Sequence, residues 1–116
     1  MSRDSDDAHL IDVARAAKLI IQFTGETDVE RFRASPLHQS AVLHQFLVLG
    51  EAAKRISENF KAKHPNVPWR EMTGMRDRLI HGYDDVNLDV VWDTAAHDIP
   101  ALLKQLEPFI PPQVEL

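Results

Sequence analysis

The feature that most constrains this chain is an apolar stripe in its middle. Val42, Phe46, Leu49, Ala53, Ile56 and Phe60 follow one another in steps of 4, 3, 4, 3 and 4. That alternation tracks the turn of an α-helix, so the six side chains line one face, whereas a strand would need alternation at every second residue. A helix striped in this way is stable only when the stripe is covered by other elements. Glu51, Lys54, Arg55 and Glu58 fall mostly off the stripe. A second run, Leu88, Trp92, Ala95, Ile99, Leu102, Leu106 and Phe109, repeats the 4/3 rhythm, and a third places Leu10, Val13, Ala17, Ile20 and Ile21 at helical spacing. No segment reads as a strand. The expected fold class is all-α, an antiparallel helical bundle of four to five helices.

Punctuation residues set the expected limits. The first helix is expected from about His9 to Phe23, with Asp7 as its N-cap and Gly25 as its stop. Thr27 can cap a short helix reaching Arg33. Ser35-Pro36 opens the striped helix, serine at the cap and proline in the first turn, and the stripe carries it to about Lys61. His64-Pro65-Asn66-Val67-Pro68 is a loop. The next helix covers about Trp69 to Ile80, with Gly82 as a left-handed stop. Asn87 can cap the last helix, which Pro100 should kink or split before Pro111-Pro112 ends the fold and leaves a loose tail.

The length of 116 residues suits one domain, 1–116, with an ordered core over about 9–110. There is no cysteine, which excludes disulfides, thiolate metal sites and a cysteine nucleophile. The polar, acidic N-terminus has no signal-peptide core behind it, and no apolar run approaches the roughly 20 residues that span a bilayer. A cytoplasmic protein without a membrane partner is the expectation. The net charge of −5 argues against a nucleic-acid surface built on bulk electrostatics, but it leaves room for a local basic cleft.

The chemistry is concentrated in Met75-Arg76-Asp77-Arg78-Leu79-Ile80-His81-Gly82-Tyr83. On a helix, Arg76 and Tyr83 share a face and Asp77 and His81 share another, while Arg76 and His81 stand about 140° apart, a gap that a long arginine can bridge. Together they offer a guanidinium, an imidazole, a carboxylate and a phenol. An imidazole can take a proton from a ribose 2′-hydroxyl, and a guanidinium can neutralise the phosphate oxygens as charge develops on them. Asp77 could orient the imidazole, and no metal is required. Blander roles also fit these residues: a solvated Arg–Asp pair, a histidine placed favourably at a helix C-terminus, and a tyrosine serving as a core anchor.

Other candidates carry less. His9, His38, His44, His64, His81 and His97 lack ligand spacing, so no metal site and no cofactor are expected, and His44 reads as a core-edge residue. Lys54, Arg55, Lys61, Lys63, Arg70 and Arg78 make the middle of the chain basic, either a solvated face or a track for an RNA backbone, with Arg78, Lys54 and Arg55 as the RNA-binding candidates. Trp69 and Trp92 fall on apolar stripes and read as core. Gly74, unfavourable inside a helix, suggests either a close helix–helix approach, for which a dimer interface is a candidate, or simply a local cost.

The pattern Arg76, four residues, His81, one residue, Tyr83 resembles the signature of HepT-like proteins in the HEPN superfamily. Further similarity lies in Leu49-Gly50-Glu51-Ala52-Ala53-Lys54-Arg55-Ile56, in Pro68-Trp69-Arg70 and in Val86-Asn87-Leu88-Asp89-Val90-Val91-Trp92, so that the likeness runs from about residue 9 to 110. One departure is Asp77, where many HEPN proteins carry asparagine. The resemblance implies an all-helical homodimer whose motif residues meet in a composite cleft. It implies a metal-independent endoribonuclease toxin that cuts RNA, including tRNA and mRNA. It also implies a MntA-like nucleotidyltransferase antitoxin that transfers AMP to the motif tyrosine, here Tyr83. In that frame His81 is the general base or acid, Arg76 the phosphate-binding residue and Asp77 an orienting group. The alternative is a non-catalytic module that binds nucleotide and serves as the partner of such a nucleotidyltransferase.

Overall fold

The computed structural model describes residues 3–112, and the tail expected to be loose lies beyond them. The helices are α1 (Arg3–Gly25), α2 (Val29–Ala34), α3 (Pro36–Arg55), α4 (Glu58–Lys63), α5 (Trp69–His81), α6 (Leu88–Asp93) and α7 (Ile99–Leu106). A 3-10 turn at Tyr83–Asp85 leads from α5 toward α6, a π-helical turn at Thr94–Asp98 joins α6 to α7, and a second 3-10 turn, Glu107–Phe109, closes the chain. No strand is present among the described residues, and none of their helices is long and apolar enough to cross a membrane.

Local chemistry explains where these helices begin. Ser35 accepts a hydrogen bond from the His38 backbone N–H and Pro36 fills the first turn of α3. Asn87 accepts from the N–H groups of Asp89 and Val90 at the start of α6. Asp28, rather than the expected Thr27, caps α2 by accepting from the Arg31 N–H at 2.9 Å.

Tertiary contacts override the sequence expectation at three places. The first helix begins at Arg3 instead of His9, which puts Asp7 inside it rather than at its cap. Its neighbour Asp6 is buried and accepts from the Ser57 N–H at 2.8 Å and the Ser57 hydroxyl at 2.7 Å. The same bonds account for the second correction. The striped helix does not continue to Lys61 but stops at Arg55, where Ile56 is extended and Ser57 caps a separate α4 by accepting from the Phe60 N–H. The stripe crosses the break intact, with Ile56 buried and Phe60 edge-on to Trp69 and Phe109. Third, Gly82 is not left-handed: its φ is −151°, and its N–H bonds the Arg78 carbonyl. Pro100 acts as expected, and the π turn shows how. The Ile99 N–H reaches back to the Thr94 carbonyl, a wide turn immediately before the residue that has no N–H to give.

The bond between Asp6 and Ser57 sets α1 antiparallel to α3. The α6–α7 stretch starts beside α2, where Arg33 meets Asp89 and Phe32 meets Trp92, and it ends beside α4, where Phe109 meets His64. It thus packs against α1, which lies between it and α3. This position explains the breadth of α1's apolar face, where Leu10, Val13, Ala14, Ala16, Ala17 and Ile20 are all buried. Phe32, Phe46, Leu49, Leu79 and Leu106 complete the core, each contributing roughly 1.5–3 kcal/mol relative to exposure. Both tryptophans pack as expected: Trp69 is buried with its indole N–H on the His64 carbonyl, and Trp92 is half-buried on Phe32. His44, expected as a packed or partly exposed core-edge residue, is exposed.

Candidate active site

The motif helix α5 packs across α3 at Gly50. A methyl group on Gly50 would stand 2.3 Å from the Arg76 Cβ and 2.8 Å from the Met72 carbonyl oxygen, so no larger residue fits without parting the two helices. Within the chain the close helix–helix approach is made by Gly50. Among the described residues nothing crowds Gly74, where an added methyl would meet only an Arg78 nitrogen at 3.9 Å.

This crossing brings Arg76 onto α3. Its Nη2 lies 2.9 Å from Oε2 of Glu51, and its Nη1 lies 2.8 Å from Oδ1 of Asp77. The other oxygen of Glu51 faces Arg55 at 3.3 Å, one helical turn on. Arg76 Nε is buried with no hydrogen-bond partner among the described residues. The hydrogen bond to Asp77, helped by the charge of Glu51, holds the Arg76 guanidinium more firmly protonated than usual. Reciprocally, the Asp77 carboxyl sits below the ordinary aspartate range, chiefly because it accepts from Arg76, with Lys54 and His81 adding positive charge nearby.

His81 closes α5 and is exposed. Among the described residues it makes no hydrogen bond or ion pair, so Asp77 does not hold the imidazole as expected. One oxygen of the carboxylate, Oδ1, is taken by the adjacent arginine, and no bond joins the carboxylate to His81. His81 borders a groove of about 520 Å³ lined by Met75, Leu79, Val86 and Val91, with Arg78 on its rim. Tyr83 begins the 3-10 turn just beyond and is 46% exposed, and Ile80 and Val90 are each 51% exposed. A larger hollow of about 710 Å³, between Asp6, Ser57, Phe60, His64 and Phe109, contains no motif residue.

The basic candidates divide. Lys54 and Arg55 flank the Glu51–Arg76–Asp77 cluster, whereas Arg78 points to the other side of α5, its Nη2 near the Met75 sulfur.

The family model described as Ribonuclease HepT-like matches residues 13–109. The chain belongs to the HepT-like ribonuclease family. It is 44% identical over 107 residues to a probable ribonuclease HepT of Thermococcus cleftensis, covering 92% of this chain and 96% of that protein. It is 39% identical over 103 residues to a candidate RNase of Methanocaldococcus jannaschii, covering 89% of each chain. A candidate RNase of Caldanaerobacter subterraneus is 33% identical over 102 residues, 88% of this chain and 91% of that one. No solved structure matches the chain. The family and its relatives support a ribonuclease.

In this HepT-like chain the member of the cluster that sequence reasoning missed is Glu51. Nothing about a glutamate off the apolar stripe distinguishes it from a solvated one. The available signals were its place in the family-like segment Leu49–Ile56 and beside Gly50, the residue that permits the helix crossing.

Proposed function

We propose that this HepT-like chain is a metal-independent endoribonuclease toxin that works as a homodimer. The observation that carries this reading is the grouping around Asp77: a guanidinium docked against α3, gripping a carboxylate one helical turn before an exposed imidazole. In the proposed reaction His81 takes the proton of a ribose 2′-hydroxyl, and that oxygen attacks the adjacent phosphorus. The bond from phosphorus to the 5′-oxygen breaks, and the 5′-oxygen gains a proton from the imidazolium of the second copy. The products are a 2′,3′-cyclic phosphate and a 5′-hydroxyl. Arg76 neutralises the phosphate oxygens while they carry the developing charge.

Two exposed apolar residues, Val90 in the lining of the groove at His81 and Ile80 next to His81 in the chain, support a second copy docking at this end of α5. Tyr83 is accessible enough to accept AMP from a MntA-like nucleotidyltransferase antitoxin. The added phosphodiester would bring a negative charge close to Arg76 and His81 and repel an RNA phosphate. Lys54, Arg55 and Arg78 are the residues available to follow the RNA backbone.

The second reading, a nucleotide-binding partner of the transferase that does not cut, has one observation in its favour: both terminal nitrogens of Arg76 are already engaged by carboxylates. An RNA-cleavage assay in EDTA, on chain verified by intact mass to be free of AMP, decides between them. Cleavage by the wild type that is lost in Arg76→Ala is expected. Intact RNA across a broad cellular set would favour the partner module.

A further inference from the structure

A guanidinium on a long flexible stem helps a transition state only if its planar fork is aimed before the substrate arrives. Two carboxylates hold the Arg76 fork, and they are not equivalent. Glu51 comes from the neighbouring helix, at the crossing where Gly50 locks α3 to α5, so its bond fixes the fork relative to the rest of the fold. Asp77 is the next residue on Arg76's own helix, and its side chain is 56% exposed against 39% for Glu51. A bond from an adjacent, solvent-facing residue can be exchanged without moving anything else. The stem between them is confined: the Arg76 side chain is 20% exposed and its Nε is buried.

We infer that Glu51 is the positioning residue for Arg76, and that Asp77 is the exchangeable counter-ion whose place at Nη1 an RNA phosphate oxygen takes. This rests on the endoribonuclease reading above. Exchanging one anion for another keeps the guanidinium paired throughout, and the Asp77 carboxylate, once released, faces water and Lys54. Glu51 acts through Arg76 and does not touch the RNA.

The test combines NMR of the Arg76 guanidinium in the full chain, its signals assigned by their loss in Arg76→Lys, with steady-state cleavage of RNA. A held fork rotates slowly about its Cζ–Nη bonds and gives resolved Nη signals. These are expected in the wild type and in Asp77→Ala, and lost in Glu51→Ala. In cleavage, Glu51→Ala is expected to lower kcat by about ten- to a hundredfold, the scale of a misaimed catalytic group, with KM changed less than about threefold. Glu51→Gln, which keeps an acceptor oxygen at the same reach, should recover to within about threefold of the wild-type kcat. Asp77→Asn should lower KM without lowering kcat. If Glu51→Ala does not fold, Glu51→Asp, one methylene too short to reach, takes its place with the same expectations. Resolved Nη signals or wild-type kcat in the Glu51 variant would overturn the inference while leaving the endoribonuclease reading intact, provided Arg76→Ala is inactive. A wild-type chain that cuts no RNA would overturn the reading itself and any catalytic role for Glu51, whereas the NMR comparison judges the clamp without reference to cleavage.

Discussion

The crossing at Gly50 makes a quantitative prediction, because the chain carries a matched control. Gly50 and Gly74 both lie inside helices, and neither has a positive φ, so in each case alanine suits the backbone and gains about 1 kcal/mol of helix propensity. The surroundings differ. At Gly50 the new methyl would lie 2.3 Å from the Arg76 Cβ, where carbon atoms prefer about 3.5–4.0 Å, and 2.8 Å from the Met72 carbonyl oxygen. Neither neighbour is the free end of a flexible side chain, so α5 must move away from α3 by more than an ångström. Overpacking of that kind costs about 3 kcal/mol, the upper part of the usual range, leaving a net loss of about 2 kcal/mol. At about 4 °C per kcal/mol for a domain of this size, Gly50→Ala should melt about 8 °C below the wild type. Gly74→Ala, with nothing nearer than 3.9 Å, should melt about 4 °C above it. Thermal denaturation followed by circular dichroism reads both. Gly50→Ala should also lose cleavage activity, since the displacement carries Arg76 away from Glu51. A Gly50→Ala chain as stable as the wild type would refute the argument from close packing.

Other expectations follow from single contacts. Asp6→Ala leaves the Ser57 N–H at the junction of α3 and α4 without its acceptor and should destabilise the fold by about 2 kcal/mol, measured by urea denaturation. The Asp77 carboxyl, held low mainly by Arg76, should titrate below the ordinary aspartate value of about 3.9, and Arg76→Ala should return it toward that value, as read by carbon NMR. Because the folded value is the depressed one, the pair contributes stability above the unfolded value and loses it as pH falls through the folded one, an effect kept small by exposure. His81→Ala should reduce cleavage by at least about a hundredfold with little change in melting temperature, since the imidazole is exposed and bonded to none of the described residues; a cleaving variant would remove His81 from the mechanism.

What the sequence made legible was whatever depends on local periodicity. The 4/3 stripes picked out Val42, Phe46, Leu49 and Ala53, and later Ala95, Ile99, Leu102 and Leu106, all of which are buried. Ser35 and Asn87 cap as their chemistry suggests. What stayed hidden depends on distant partners. The break after Arg55 is made with a carboxylate 51 residues away, and periodicity cannot show it because the apolar rhythm runs straight through. Within the candidate site, Arg76, Asp77 and His81 could be read from their spacing on one helix. Glu51 could not, because its role exists only where two helices cross. The same limit hid the crossing at Gly50: composition flags every helical glycine equally, and only the packing shows which one meets another helix of its own chain.

The wide turn at Thr94–Asp98 also acts on the phase of the last helix. Val91, Ala95, Ile99, Leu102 and Leu106 are buried in steps of 4, 4, 3 and 4. Two successive steps of four would carry an ordinary α-helix progressively off its face, because four residues exceed one turn. A turn closed by a bond from Ile99 to Thr94 holds one residue more and cancels that drift. The irregularity that accommodates Pro100 therefore works as a vernier, bringing the two halves of the helix back into register against α1.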